Sequence, residues 1–196
     1  MINLKIPLAY QVSEYDCGST SLLNVFSYLF EREEIPAIIV KSIYSYAMDE
    51  TDSSGNVGQG GTSRESMQKL VMWLTEYAKN FDFDIISEYF SGEEVTLDIL
   101  NKYINFKAVI LVRCYQNVEH YILIINIDEK YAYVWDPTYV SQDNNVNDDA
   151  IEFIFDKPFS HNRIIKLGRL FEDSKNDFSF LSENNREMVI FQRKLG

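Results

Sequence analysis

Cysteine is scarce in this chain: 196 residues carry only two, Cys17 and Cys114. Two thiols cannot build a disulfide framework, and so low a content fits a reducing, cytoplasmic compartment. Histidine is equally rare, with His120 and His161 alone. These four residues are scattered and match no zinc spacing, so no metal is expected. Basic residues are outnumbered, 18 Lys and Arg against 30 Asp and Glu, for a net charge of −12. That deficit speaks against nucleic acid, whose phosphates require clustered cations. The charge reads either as solubility alone or as a field that would draw in a cationic substrate such as an amine. Long hydrophobic runs are missing too. The best, Ala108 to Val112 and Tyr121 to Ile127, are strand-sized, so no membrane span is expected. Residues Met1 to Pro7 lack the apolar stretch of a signal peptide.

What is present suits one domain over residues 1–196: the chain is 46% hydrophobic and 14% aromatic, enough for a sizeable core. Residues 1–10 read as an extended lead-in. Leu22, Leu23, Phe26, Leu29 and Phe30 share one face of a helix from about Cys17 to Phe30. Pro36 opens a second helix, Ile35 to Met48. Asp49 to Gly61, rich in Asp, Ser, Gly and Asn, reads as a loop and a candidate lid; its glycines lack the lysine of a phosphate-binding loop. Thr62-Ser63-Arg64-Glu65 is a capping-box pattern opening a helix to Lys79. The second half reads as strands at Phe81 to Ile85, Ala108 to Tyr115, His120 to Ile127, Tyr131 to Trp135, Ile151 to Phe155 and Met188 to Gln192. A short helix, Thr96 to Ile104, interrupts them, and Asp143 to Asp149 is a polar loop. Helices first and antiparallel strands afterwards is the α+β pattern.

Against that layout a few polar residues stand out. Cys17 begins a helix, where the positive end of the macrodipole favours a thiolate, the form that attacks carbonyl carbon. Gln11 lies six residues upstream and can aim an N–H at the resulting oxyanion, together with the Cys17 backbone N–H. Asp16 can cap the helix, and Gly18 permits close approach of a substrate backbone. His120 heads an apolar strand and can serve as general base; Asp136 ends the next strand and can hold the imidazole tautomer. Singly, each has an ordinary structural reading. A hairpin turning at Asp128-Glu129-Lys130, however, brings the start of one strand and the end of the next to the same end. Cys114 reads as core, His161 as a loop residue without a partner, and Arg163, Lys166 and Arg169 as a candidate basic patch.

The set Gln11…Asp16-Cys17-Gly18…His120…Asp136-Pro137 resembles the C39 peptidase-like group of papain-fold cysteine enzymes. The resemblance implies an α+β fold in which an N-terminal helical half, with the cysteine at a helix N-terminus, packs on a C-terminal antiparallel sheet carrying histidine and aspartate. By it Cys17 is the nucleophile, His120 the base, Asp136 the orienter and Gln11 the oxyanion donor, with Asp16 and Gly18 beside the substrate. The best-known members of the group are transporter domains that trim leader peptides. This chain differs: it carries extra residues between Cys17 and His120 and continues from Asp136 to Gly196. Stand-alone relatives include acyltransferases of natural-product assembly, and the chain looks similar to the amide-forming protease homologue of closthioamide assembly. The expectation is therefore an amide-forming acyltransferase, moving an acyl group from a phosphopantetheine thioester on a carrier protein to an amine. A cysteine peptidase acting on a peptide, and a non-catalytic peptide-binding module, are the alternatives. No bound cofactor is expected.

Overall fold

The fold, taken from a computed structural model that describes residues 5–144 and 148–194, begins with an extended lead-in pinned to its surroundings. Residues 1–4 of that lead-in, and 145–147 of the expected polar loop, lie outside the described residues. Asn24 clamps the Ala9 backbone through both amide atoms, at 2.7 and 2.9 Å, and Trp135 Nε1 donates to the same Ala9 carbonyl at 3.0 Å. Helix α1 (Cys17–Leu29) buries Leu22, Val25 and Phe26 on the sheet. Helix α2 (Ala37–Tyr46) follows Pro36, whose fixed φ and missing N–H suit the entry to a first turn.

The expected Asp49–Gly61 loop is instead a two-stranded hairpin, β1 (Glu50–Thr51) and β2 (Val57–Gly61). Its turn is organised by the Asp52 carboxylate, which accepts from the backbone N–H of Ser54 and Asn56 at 2.9 and 2.8 Å. Polar turn residues concealed two short strands that lack apolar alternation. Helix α3 (Arg64–Asn80) starts one residue later than its capping pattern suggests: Ser63 caps it, accepting from Ser66 N–H at 3.0 Å. Met67, Leu70, Val71 and Leu74 are its buried stripe.

Phe81 to Ile85 does not form the expected strand. Asp82 adopts a left-handed φ of 47°, and Phe83 N–H returns to the Ala78 carbonyl at 3.1 Å, so this alternation belongs to a turn closing α3. The strand comes next, β3 (Ile86–Ser91). Helix α4 (Leu97–Ile104) is capped by Thr96, and β4 (Val109–Gln116), β5 (Val118–Ile127) and β6 (Tyr131–Trp135) make an antiparallel meander. Three further strands, β7 (Ile151–Phe153), β8 (Arg163–Lys166) and β9 (Glu187–Gln192), and a short helix α5 (Leu167–Leu170) complete the chain.

The seven strands β3 to β9 form one antiparallel sheet in the order β3-β9-β4-β5-β6-β8-β7. Its central strands are apolar on both faces because both are covered. One face, with Leu111, Leu123 and Trp135, packs on α1, α2 and α3. The other, with Ile110, Ile122 and Ile124, is closed by α4, Leu170, Phe178 and Phe180. Mixed helix and antiparallel sheet is the expected class; the second covering layer from the C-terminal segment is an addition to it.

Leu74 anchors α3 on the sheet and is fully buried, whereas Met72 on the same helix is exposed. Leu74→Ala should cost about 2–5 kcal/mol by denaturant unfolding, and Met72→Ala less than about 0.5 kcal/mol.

Candidate active site

Cys17 is the first residue of α1, where backbone N–H groups have no intrahelical partner and the dipole is positive. The helix reaches the sheet closely because residue 18 is glycine. A Cβ there would lie 2.6 Å from Thr62 Oγ1, 2.8 Å from Thr62 Cβ and 3.3 Å from the Tyr121 ring. Ser21 Oγ donates to the Tyr121 carbonyl at 3.0 Å and fixes the same contact. Gly18 therefore serves the docking of helix on strand, and the close approach it permits is to Thr62 and Tyr121.

Docked in this way, Cys17 lies beside His120 of β5, near enough for each side chain to shift the other's protonation. The register Leu123↔Trp135 carries the chain after β6 back towards His120. His120 Nε2 meets Asp136 Oδ1 at 2.9 Å, which leaves Nδ1 for the sulfur. Cys17, His120 and Asp136 are 7%, 5% and 0% exposed. Burial pushes the Cys17 thiol pKa up, but the adjoining imidazole and the backbone of Tyr121 and Gly18 together make the net shift downward. Burial pushes His120 down, yet Asp136 and Cys17 raise it to about 10. Burial alone would raise Asp136 as well; His120 and Arg163 hold it below the usual carboxylate value. All three shifts favour a thiolate–imidazolium–carboxylate chain.

Gln11 is tied to the same locus, since its backbone N–H donates to the Pro137 carbonyl at 2.8 Å. Its Nε2 donates to the Ser13 carbonyl at 2.7 Å, which uses one of two amide protons. Asp16 does not cap α1 with its side chain. Its carboxylate accepts from Val12 N–H, Ser13 N–H, Ser13 Oγ and Thr20 Oγ1, closing the turn between Gln11 and Cys17.

A cleft of about 400 Å³ opens beside Cys17. The hairpin forms one wall through Glu50 and Gln59 to Gly61; Glu14, Glu119 and Arg113 line the remainder with Tyr121. Beneath it Glu187, with no exposed side chain, accepts from Tyr121 Oη at 3.2 Å and pairs with Arg113 and Arg64, each at 3.5 Å. Arg113 also pairs with Glu119.

Several neighbours of the site escape sequence reasoning. Arg163 is buried, with its Nη2 3.2 Å from Asp136 Oδ2, so it is not part of a basic patch; Arg169 is likewise engaged, by Asp148 and Glu172. Asn162 clamps the Asp136 backbone, accepting from its N–H at 2.8 Å and donating to its carbonyl at 2.7 Å. Thr138 N–H donates to Asp136 Oδ1 at 2.9 Å. The only local hint is a charged residue opening the apolar pair Ile164-Ile165. Cys114 is core, with burial pushing its thiol well above the ordinary value. His161 is buried rather than free, between Ser160 Oγ at 2.9 Å and Lys157 Nζ at 3.4 Å. Among the described residues no cluster suits a metal ion, and no helix is long and apolar enough to cross a membrane.

A model of the Peptidase_C39 like family matches residues 3–158, a span that holds Gln11, Cys17, His120 and Asp136. No curated protein matches the chain.

Alkylation reads the thiolate directly. Its rate at Cys17 should rise with pH through a midpoint below the ordinary 9.0. In His120→Asn the offsetting charge is gone while burial remains, so the midpoint should move upward. Alkylation at neutral pH, read by mass spectrometry, should then slow roughly tenfold for every pH unit by which the midpoint climbs. Cys114 should stay unmodified in the folded protein.

Proposed function

This chain belongs to the Peptidase_C39 like family, and from that premise we propose that it is an amide-forming acyltransferase working through an S-acyl-enzyme on Cys17. The observation that carries the reading is the burial of the sulfur and imidazole beside a cleft lined by Glu14 and Glu50, with Glu119 paired to Arg113 on the same lining. A sheltered thioester resists water, and carboxylates at the mouth suit an acceptor with a cationic amine.

The proposed donor is an acyl thioester, carried on the phosphopantetheine arm of a carrier protein. Cys17 thiolate attacks the thioester carbonyl, and the tetrahedral oxyanion is held by the Cys17 backbone N–H and the second amide proton of Gln11. Collapse expels the pantetheine thiolate, which takes the proton from His120. The amine then attacks the S-acyl carbonyl, and neutral His120 accepts the amine proton. Cys17 thiolate leaves, the amide is released, and the imidazolium is restored. Asp136 keeps the imidazole oriented throughout. The peptidase reading follows from the family alone and uses the same steps, with an amide donor and water as acceptor.

Incubation with an acyl-pantetheine thioester and a diamine should give an acyl adduct on Cys17 by intact mass, and the amide by chromatography. Cys17→Ala should abolish both and Cys114→Ala neither. Hydrolysis unaffected by added amine would replace this reading with the peptidase. Gln11→Ala should slow acylation by roughly 10²–10³ while leaving the alkylation midpoint of Cys17 in place.

A further inference from the structure

The Asp136 carboxylate has no contact with solvent, yet the proposed cycle removes its imidazolium partner each time His120 gives up its proton. A buried carboxylate beside a neutral imidazole would hold that proton back, because burial penalises an uncompensated charge. The structure supplies a second cation on the other oxygen. Arg163 Nη2 lies 3.2 Å from Asp136 Oδ2, whereas His120 occupies Oδ1.

The guanidinium is itself well held. Its Nη1 donates to the Asn162 carbonyl at 2.9 Å, its Nη2 to the Thr138 carbonyl at 3.1 Å, and its Cζ sits 4.4 Å from the Phe153 ring centroid. Strand β8 delivers it: Arg163 pairs with Val134, two residues before Asp136, and with Phe153 on the outer strand. Residue 163 lies past the span that the family model matches.

We propose that Arg163 is a positioning residue of this site, the permanent counter-ion that keeps Asp136 ionised when His120 is neutral and so lets the imidazole proton leave. This rests on reading His120 as the proton carrier. Arginine suits the role because it does not lose its charge in a protein. The ionisable groups facing His120 are Cys17 from α1, Asp136 after β6 and Cys114, its cross-strand partner on β4, with Arg163 acting from behind Asp136. Cys114 stays neutral through burial, so Cys17 and Arg163 are the two that shift the His120–Asp136 pair. Without Arg163 that pair holds its shared proton more tightly, whichever atom carries it.

The test is a titration of the full chain in the Cys17→Ala background, which removes the sulfur's influence and needs no turnover. The chain has two histidines, so His161→Asn assigns the His120 side-chain nitrogen signals by NMR. Arg163→Met should raise the His120 midpoint by a pH unit or more, a tenfold or greater gain in proton affinity. A midpoint unchanged or lowered in a folded Arg163→Met protein would overturn the proposal, since a purely structural role would reduce thermal stability alone. If Arg163→Met does not fold, Arg163→Lys decides. Retained charge should keep the midpoint within half a pH unit, and a rise of a full pH unit would overturn the proposal. Absence of acyl transfer by the unsubstituted chain, with the expected titration intact, would count against the function and leave this inference standing.

Discussion

The hydrogen bond between His120 Nε2 and Asp136 Oδ1 is the constraint on which the site depends, because it is made with the carboxylate wholly removed from water. Ionised groups of this size lose several kcal/mol on burial unless fully compensated. Compensation here is shared between an imidazole on β5 and a guanidinium on β8, with backbone N–H from Thr138 and a clamp on the main chain from Asn162. The three strands that meet at Asp136 are therefore not interchangeable scaffolding. Each contributes a charge or a dipole that the others require. Turning the ring so that Nε2 faces Asp136 is also what leaves Nδ1 free of the carboxylate, on the ring that lowers the Cys17 pKa.

Glu187 offers a comparison within the same molecule. It too is buried, and it too meets two cations, Arg113 and Arg64, each at 3.5 Å. Burial nonetheless dominates and its pKa is raised, whereas that of Asp136 is lowered. The difference lies in distance and sharing: Arg113 is divided between Glu187 and Glu119, while Asp136 receives a 2.9 Å bond from His120 and a backbone N–H on the same oxygen. Glu187 accepts from Tyr121 Oη, and Tyr121 is the ring against which Gly18 packs. The acidic residue under the cleft thus supports the surface on which α1, and with it Cys17, is seated.

Much of this is legible in the chain. The amphipathic stripe of α1, the apolar runs of β4 and β5 and the turn before β6 locate Cys17, His120 and Asp136 on elements that the fold brings together. Local patterns carry those because periodicity and turn chemistry act over a few residues. The departures share a cause. At Phe81 to Ile85 the alternation is genuine but belongs to a helix-closing turn with Asp82 in the left-handed region. At Glu50 to Gly61 glycine and asparagine hide a hairpin whose strands carry no apolar pattern. Arg163 escapes because a buried arginine looks the same in sequence as an exposed one; only its distant partner, Asp136, distinguishes them. Asp16 follows the cap rule by position and breaks it in chemistry, since its oxygens are satisfied by the preceding turn.

The span matched by the family ends at residue 158, and neither the sheet nor the site ends there. Strand β9 lies between β3 and β4, so residues 187–192 join the N-terminal part of the sheet to its centre. Strand β8 pairs with β6 on the opposite side and supplies Arg163 at the distance Asp136 needs. Phe178 and Phe180 close the face that α4 covers only in part. Without β8 the fold would still carry sulfur, imidazole and carboxylate in chain order, yet the buried carboxylate would face His120 alone rather than His120 and Arg163. The second cation beside Asp136 is thus supplied by a C-terminal strand, although none of the residues expected to react lies there.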